Sequence, residues 1–190
     1  MHFALLGTTP IANQTASRLA LAGFDVRPVN IPDTGSKGPG LTEPNILGGA
    51  AAPAAVITLF GSIPELKRVM QDLLPTLGEA IWIDLSPISH RDGQDLDALA
   101  HWHGVPRLAA PLIEQRGTTV ITAPAVLDLR CQIVCEPVLA AAADLILRTH
   151  DPEYGAMSLD QQALSEAQIA ELEYDAFTEG DSPQRLTGRG

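Results

Sequence analysis

The chain has 190 residues, 45% of them hydrophobic, enough for one ordinary core and some extra but not for two full domains. Its net charge is −11, with nine acidic and two basic residues in 151–190, which argues against a nucleic-acid partner, since phosphate binding needs clustered Lys and Arg. No apolar run reaches the ~20 residues of a membrane span, and the first six residues lack the basic stretch that opens a signal peptide, so a cytoplasmic protein with no membrane partner is expected.

In chain order, residues 2–6 predict a short apolar strand ending at Gly7. Pro10 suits the first position of a helix, where its missing N–H costs nothing. Ile11, Ala12, Thr15, Ala16 and Leu19 recur at helical spacing, and Gly23 ends the run. Residues 25–30 read as a second strand, completing a strand–helix–strand unit. Residues 31–40 hold too much Gly and Pro for a helix and 41–53 are little better, so the helix and third strand that would ordinarily follow are expected to be lost. Pro28 agrees: proline belongs on sheet edges, and without a third strand the second becomes the edge.

Residues 54–60 form a continuous apolar run of the kind buried on both faces of a parallel sheet. Gly61 and Ser62 turn the chain into a helix over 63–77. A strand over 80–85 ends at Ser86-Pro87, an amphipathic helix follows over 92–103, and a short strand over 107–110. A strand over 119–122, a helix over 126–142 and a strand over 144–148 make another strand–helix–strand run. This alternation predicts an α/β fold over residues 1–150: a Rossmann-like, doubly wound, mainly parallel sheet, shortened around the third strand. Ser158-Leu159-Asp160-Gln161 has the form of a capping box. Leu159, Ala163, Ala167, Ala170, Tyr174 and Phe177 then line one side, predicting a long helix over 158–180 whose apolar face needs a cover. Residues 181–190 are expected to be disordered. Cys131 and Cys135, four apart on a predicted helix, read as small apolar side chains on its buried face. No metal site is expected, and no Gly-x-Ser-x-Gly or His-Glu-x-x-His pattern supports hydrolase or zinc chemistry.

Five segments in this order resemble one family. Leu5-Leu6-Gly7-Thr8-Thr9-Pro10-Ile11-Ala12 stands where the imine reductases and β-hydroxyacid dehydrogenases (6-phosphogluconate dehydrogenase-like proteins) have Leu-Gly-x-Gly-x-Met-Gly. Val56-Ile57-Thr58-Leu59 is similar to their fourth strand. Trp82-Ile83-Asp84-Leu85-Ser86-Pro87-Ile88-Ser89 resembles their Val-Asp-Met-Ser-Thr-x-Ser segment, and Ala110-Pro111-Leu112 the Ala-Pro-Val that begins their substrate loop. Asp151-Pro152 with Asp160 resembles the stretch that opens the interdomain helix of imine reductases. The resemblance implies an N-terminal NAD(P)-binding domain over 1–150 and an interdomain-type helix over 151–180, with the rest of the helical C-terminal domain truncated.

The resemblance also implies site residues. Gly7, Thr8, Thr9, Pro10, Ile11, Asn30, Phe60, Gly61, Ser62 and Ser86 would contact the cofactor, and Asp160, Ser86 and Glu114 are the catalytic candidates. The glycine motif is degenerate. Thr9 stands where a second glycine lets the backbone approach the pyrophosphate, so its branched side chain is expected to crowd the ligand. Ile31 replaces the basic residue that follows Asn30 in NADP-binding members, and Glu114 and Gln115 replace the glycines of the substrate loop. Residues 151–180 contain no Lys to match the catalytic one of the dehydrogenases; Asp160 is the nearest candidate, or else a first-turn acid that favours the helix dipole. The expected cofactor is therefore none, or weakly bound NAD(P)H. The first functional expectation is a repurposed, non-redox biosynthetic enzyme of cyclase or isomerase type acting on a small molecule in the Rossmann cleft. The alternative is an NAD(P)H-dependent imine reductase or 3-hydroxyacid dehydrogenase-type oxidoreductase. A second alternative is a non-catalytic scaffold. A homodimer through the 158–180 helix is the expected quaternary state, with the exposed helix docking a partner in the binding or scaffold alternative.

Overall fold

Strands too apolar to face water on either side set the architecture. The computed structural model describes residues 1–7, 9–29 and 52–150. It lays β1 (His2–Gly7), β2 (Asp25–Val29), β3 (Ala55–Leu59), β4 (Ile81–Asp84) and β5 (Arg107–Ala109) into a five-stranded parallel sheet in the order β2-β1-β3-β4-β5. The register carries one apolar row across it: Leu5 opposite Ile57, Ile57 opposite Ile83, Ile83 opposite Leu108. Because side chains alternate along a strand, Phe3 and Leu5 enter one core while Ala4 and Leu6 enter the other. Helices α1 (Pro10–Leu21) and α4 (Leu129–Ala142) cover the first face. Helices α2 (Ile63–Leu73) and α3 (His90–Trp102) cover the second, through Leu66, Met70 and Leu96. This is the doubly wound α/β arrangement that the alternating pattern predicts.

A second group, β6 (Leu112–Gln115), β7 (Thr118–Pro124) and β8 (Leu145–Thr149), continues from β5. Pro111 has no N–H to give the ladder, and the chain passes from β5 to β6 there. Ala110 N donates to Asp84 O, Leu112 N to Leu85 O and Thr122 N to Pro111 O. β7 and β8 are parallel, whereas β6 and β7 are an antiparallel hairpin. Its two turn residues, Arg116 (φ 52°) and Gly117 (φ 85°), both take the left-handed backbone that a two-residue hairpin needs. The sequence reading has no β6; residues 113–115 are a strand rather than a substrate loop.

Other boundaries move for local reasons. Proline at position 75 stops the ladder of α2 at Leu73, and Leu74–Thr76 tighten into a 3₁₀ turn. α3 starts two residues early because Ser89 Oγ caps the Asp92 N–H, and α4 starts late because Asp128 caps Cys131. Asp144 is left out of β8, its carboxylate held by Arg18 and by the Thr119 N–H. Among the described residues β2 pairs with β1, with Pro28 opposite Leu5. Gly23 ends α1 at φ 89°. Cys131 and Cys135, both on α4, are free and buried in the core. Burial is the main cause that pushes both thiols up, Cys135 to about 12.

Among the described residues no helix is long and apolar enough to cross a membrane, and no cluster of His, Cys, Asp and Glu could hold a metal. The expected loss of the third strand, the 158–180 helix, the 181–190 tail, Thr8, Asn30 and Asp160 lie outside the described residues.

Candidate functional site

Open parallel sheets bind ligands beyond the carboxyl ends of their strands, at the point where the strand order reverses. Here that point lies between β1 and β3, since β2 is placed on one side of β1 and β3 on the other. Gly7 ends β1, and Phe60, Gly61 and Ser62 follow β3. A Cβ at Gly7 would stand 2.6 Å from Leu59 O and 2.7 Å from Ala12 Cβ, so glycine is required there by strand and helix packing alone. Thr9 is the N-cap of α1, and its Oγ1 accepts from Ala12 N at 3.3 Å. Its other branch faces the opposite turn: Thr9 Cγ2 lies 3.5 Å from the position a Gly61 Cβ would take. Of the first three helical positions, Pro10 offers no N–H and that of Ala12 is taken by the cap. The residues present therefore do not fit a diphosphate seated in the usual way at this turn.

Two strands along, the same sheet end holds a cavity of about 290 Å³. Ser86, His90, Asp97, Arg107, Thr122 and His150 line its polar side; Ile88, Leu108, Pro111, Ala123 and Pro124 line its apolar wall. The strand ends of β4, β5, β7 and β8 and the first turns of α3 bring these together. Beneath it runs a buried polar network. Asp84 lies at the end of an apolar strand, and a buried carboxylate must be paired. Arg107 Nη2 donates to Asp84 Oδ2 at 2.7 Å, with the two side chains 2% and 0% exposed. Arg107 Nη1 donates to Asp97 Oδ1 at 2.5 Å, and the guanidinium lies 5.0 Å over the Trp82 ring. Asp84 Oδ1 accepts from Thr58 Oγ1 at 2.9 Å and from Ser86 N at 3.1 Å, while Trp82 Nε1 donates to Thr58 Oγ1 at 2.8 Å. Ser86 Oγ accepts from Phe60 N at 3.0 Å. The network thus joins the ends of β3, β4 and β5, and couples the cavity floor to the turn after β3.

The sequence-predicted residues divide between these two places. Gly7, Thr9, Pro10, Ile11, Phe60, Gly61 and Ser62 belong to the two strand-end turns. Ser86 is buried, hydrogen-bonded to the second of those turns, and lines the cavity. Glu114 is exposed on β6, and neither it nor Gln115 lines the cavity. Sequence reasoning passed over Asp97, Arg107, Thr122 and His150. The signal for Arg107 was available: a charged residue opening a short apolar strand, with an aspartate ending the preceding strand, asks for a buried partner.

No family model matches the sequence, and no curated protein matches it closely. Solved structures do. The 3-hydroxyisobutyrate dehydrogenase of Mycobacterium tuberculosis, solved with L-serine, is 23% identical with a TM-score of 0.65; the match covers 98% of this chain and 68% of that one. The imine reductase of Streptomyces aurantiacus is 14% identical with a TM-score of 0.64, over 94% of this chain and 73% of that one. The imine reductase of Myxococcus stipitatus, in complex with NADP+, is 11% identical with a TM-score of 0.63, over 94% of this chain and 63% of that one. The protein thus has the Rossmann-like fold of the hydroxyisobutyrate dehydrogenases and imine reductases, as its five motifs imply.

Proposed function

We propose that the chain is an oxidoreductase of the imine reductase and 3-hydroxyacid dehydrogenase type, acting on a small molecule held in the cavity at the ends of β4–β8, with NAD(P)H bound weakly. The observation that carries this reading is the fold likeness to dehydrogenases and imine reductases, one of them in complex with NADP+. Residues 7–11 and 60–62 would flank the nucleotide. Ser86, whose oxygen accepts from Phe60 N, keeps its O–H to offer to a substrate polar atom. Asp160 is the proposed acid and the segment 158–180 the proposed dimer contact, both taken from the resemblance. The mixed lining, with apolar walls and a few convergent polar groups, suits a small organic substrate.

Titration with NADPH and NADH, followed by loss of reduced-nicotinamide absorbance with a panel of imines and keto acids, tests the reading. Binding near or above about 0.1 mM, or about −5.5 kcal/mol, with turnover of one substrate class supports it. No binding at millimolar nucleotide to folded protein removes it. The side chain of Thr9 favours a second reading in that event: a cyclase or isomerase that uses the same cavity without nicotinamide. Deleting residues 157–190 and finding an unchanged dimer by light scattering would remove the proposed dimer contact.

A further inference from the structure

We infer that Thr9 is the residue that sets nucleotide affinity in this protein, by closing the crevice between the turn after β1 and the turn after β3. The inference deepens the oxidoreductase reading and rests on it in taking this crevice as the nucleotide site. Two separate functions of one side chain meet there. The hydroxyl occupies the Ala12 N–H as an N-cap, so one of the donors a diphosphate oxygen would use is already satisfied. The methyl points across the crevice to Gly61, 3.5 Å from where a Cβ would stand on it. With a carbon–carbon bond of about 1.5 Å, the methyl is no more than about 5 Å from the Gly61 Cα. An atom in van der Waals contact with both would need a gap of about 7 Å, since contacting heavy atoms lie about 3.5 Å apart. The crevice at the strand-order reversal is thus too narrow for a phosphate oxygen between residues 9 and 61.

Thr9 is the part of this turn that substitution can open, while Pro10, which offers no N–H, stays in every variant. Gly61 is exposed and presents no side chain. Gly7 is fixed by packing against Leu59 and Ala12 and cannot widen the turn. Removing the cap hydroxyl takes away one of two acceptors of the Ala12 N–H, which also donates to Thr9 O at 3.0 Å. The two branches of Thr9 can be removed separately.

The test is the NADPH dissociation constant, by calorimetry or nucleotide fluorescence, for the wild-type chain and for Thr9→Gly, Thr9→Ser and Thr9→Val. Glycine is itself an accepted N-cap residue, and serine keeps the cap, so folding is preserved in at least the serine variant and is checked by thermal melting. Thr9→Gly is expected to tighten NADPH at least tenfold. Thr9→Ser, which loses the methyl and keeps the hydroxyl, is expected to tighten it several-fold. Thr9→Val, which keeps the methyl position and loses the hydroxyl, is expected to gain nothing. Wild-type binding that neither Thr9→Gly nor Thr9→Ser improves overturns the inference and leaves the oxidoreductase reading standing. Binding by Thr9→Gly alone sustains the inference and removes nucleotide from the wild-type function. Absence of binding in every variant overturns both.

Discussion

The strand ends of this molecule show two outcomes of the same fold. Between β1 and β3, where the topology makes a ligand crevice, a threonine caps the helix with one branch and meets the facing turn with the other. Across β4 to β8, where topology alone promises less, a cavity of about 290 Å³ is open over a buried ion pair. The contrast teaches that strand order decides where a crevice can form, while side-chain size and charge pairing decide whether it exists. In the first region the branched Thr9 faces Gly61 across the turn. In the second, Arg107 and Asp84 pair below the surface and leave space above.

The largest effect that could break this comparison is loss of the cavity floor. Arg107→Met leaves the Asp84 carboxylate buried without its cation, a loss expected to cost about 3–5 kcal/mol in urea unfolding. The double variant Asp84→Leu/Arg107→Met is expected to recover part of that loss, because no charge is then left unpaired. A single-variant loss below about 1 kcal/mol would mean that the pair does not hold the strand ends. Next in size is occlusion. Ala109→Phe puts a ring into the cavity from β5 and is expected to weaken binding of any turned-over substrate at least tenfold, or about 1.4 kcal/mol, while nucleotide affinity stays within about twofold, or about 0.4 kcal/mol. Equal losses of both would place the two ligands in one site.

A smaller change tests the scaffold beneath the crevice. Asp144 joins β7 to α1 through the Thr119 N–H and Arg18. The Arg18 guanidinium, with the Thr119 N–H second, holds its carboxyl below the usual range. A lowered pKa contributes stability that is present above the unfolded value of 3.8 and is lost as pH falls below it. Asp144→Ala is expected to cost about 1 kcal/mol near neutral pH and progressively less in acid, measured by denaturant melts at several pH values. The smallest expected effect is at the cysteines. Burial pushes the Cys135 thiol up to about 12, so the native protein should resist an aromatic disulfide reagent near neutral pH and react only when unfolded. The sign for stability is opposite to that of Asp144: the contribution of Cys135 is complete below the unfolded thiol value of 9.0 and is lost as pH rises from there toward about 12.

Much of the fold was legible because its parallel strands are continuous apolar runs and its helices carry local start and stop residues. Pro10 and Gly23 mark the ends of α1. The β6–β7 hairpin was not legible: its turn is Arg116-Gly117 rather than Asn-Gly or Asp-Gly, and Ile113-Glu114-Gln115 shows too short an alternation to read as a strand. Ser89 and Asp92 do carry the spacing of a capping pair, which would have fixed the start of α3. In the site, Thr9 was visible as a misplaced branched residue, but its contact across to Gly61 needed coordinates. The Asp84–Arg107 pair joins residues 23 positions apart, and their meeting follows from strand register that no local pattern specifies.

The most direct measurement is amide chemical-shift mapping of the wild-type protein with NADPH and, separately, with any substrate found by turnover. The substrate should shift amides around Ser86, Ala109, Thr122 and Thr149, and NADPH should leave Thr9 and Gly61 unshifted until the nucleotide reaches the order of 0.1 mM. Saturating shifts at Thr9 and Gly61 at micromolar NADPH would contradict the closed crevice.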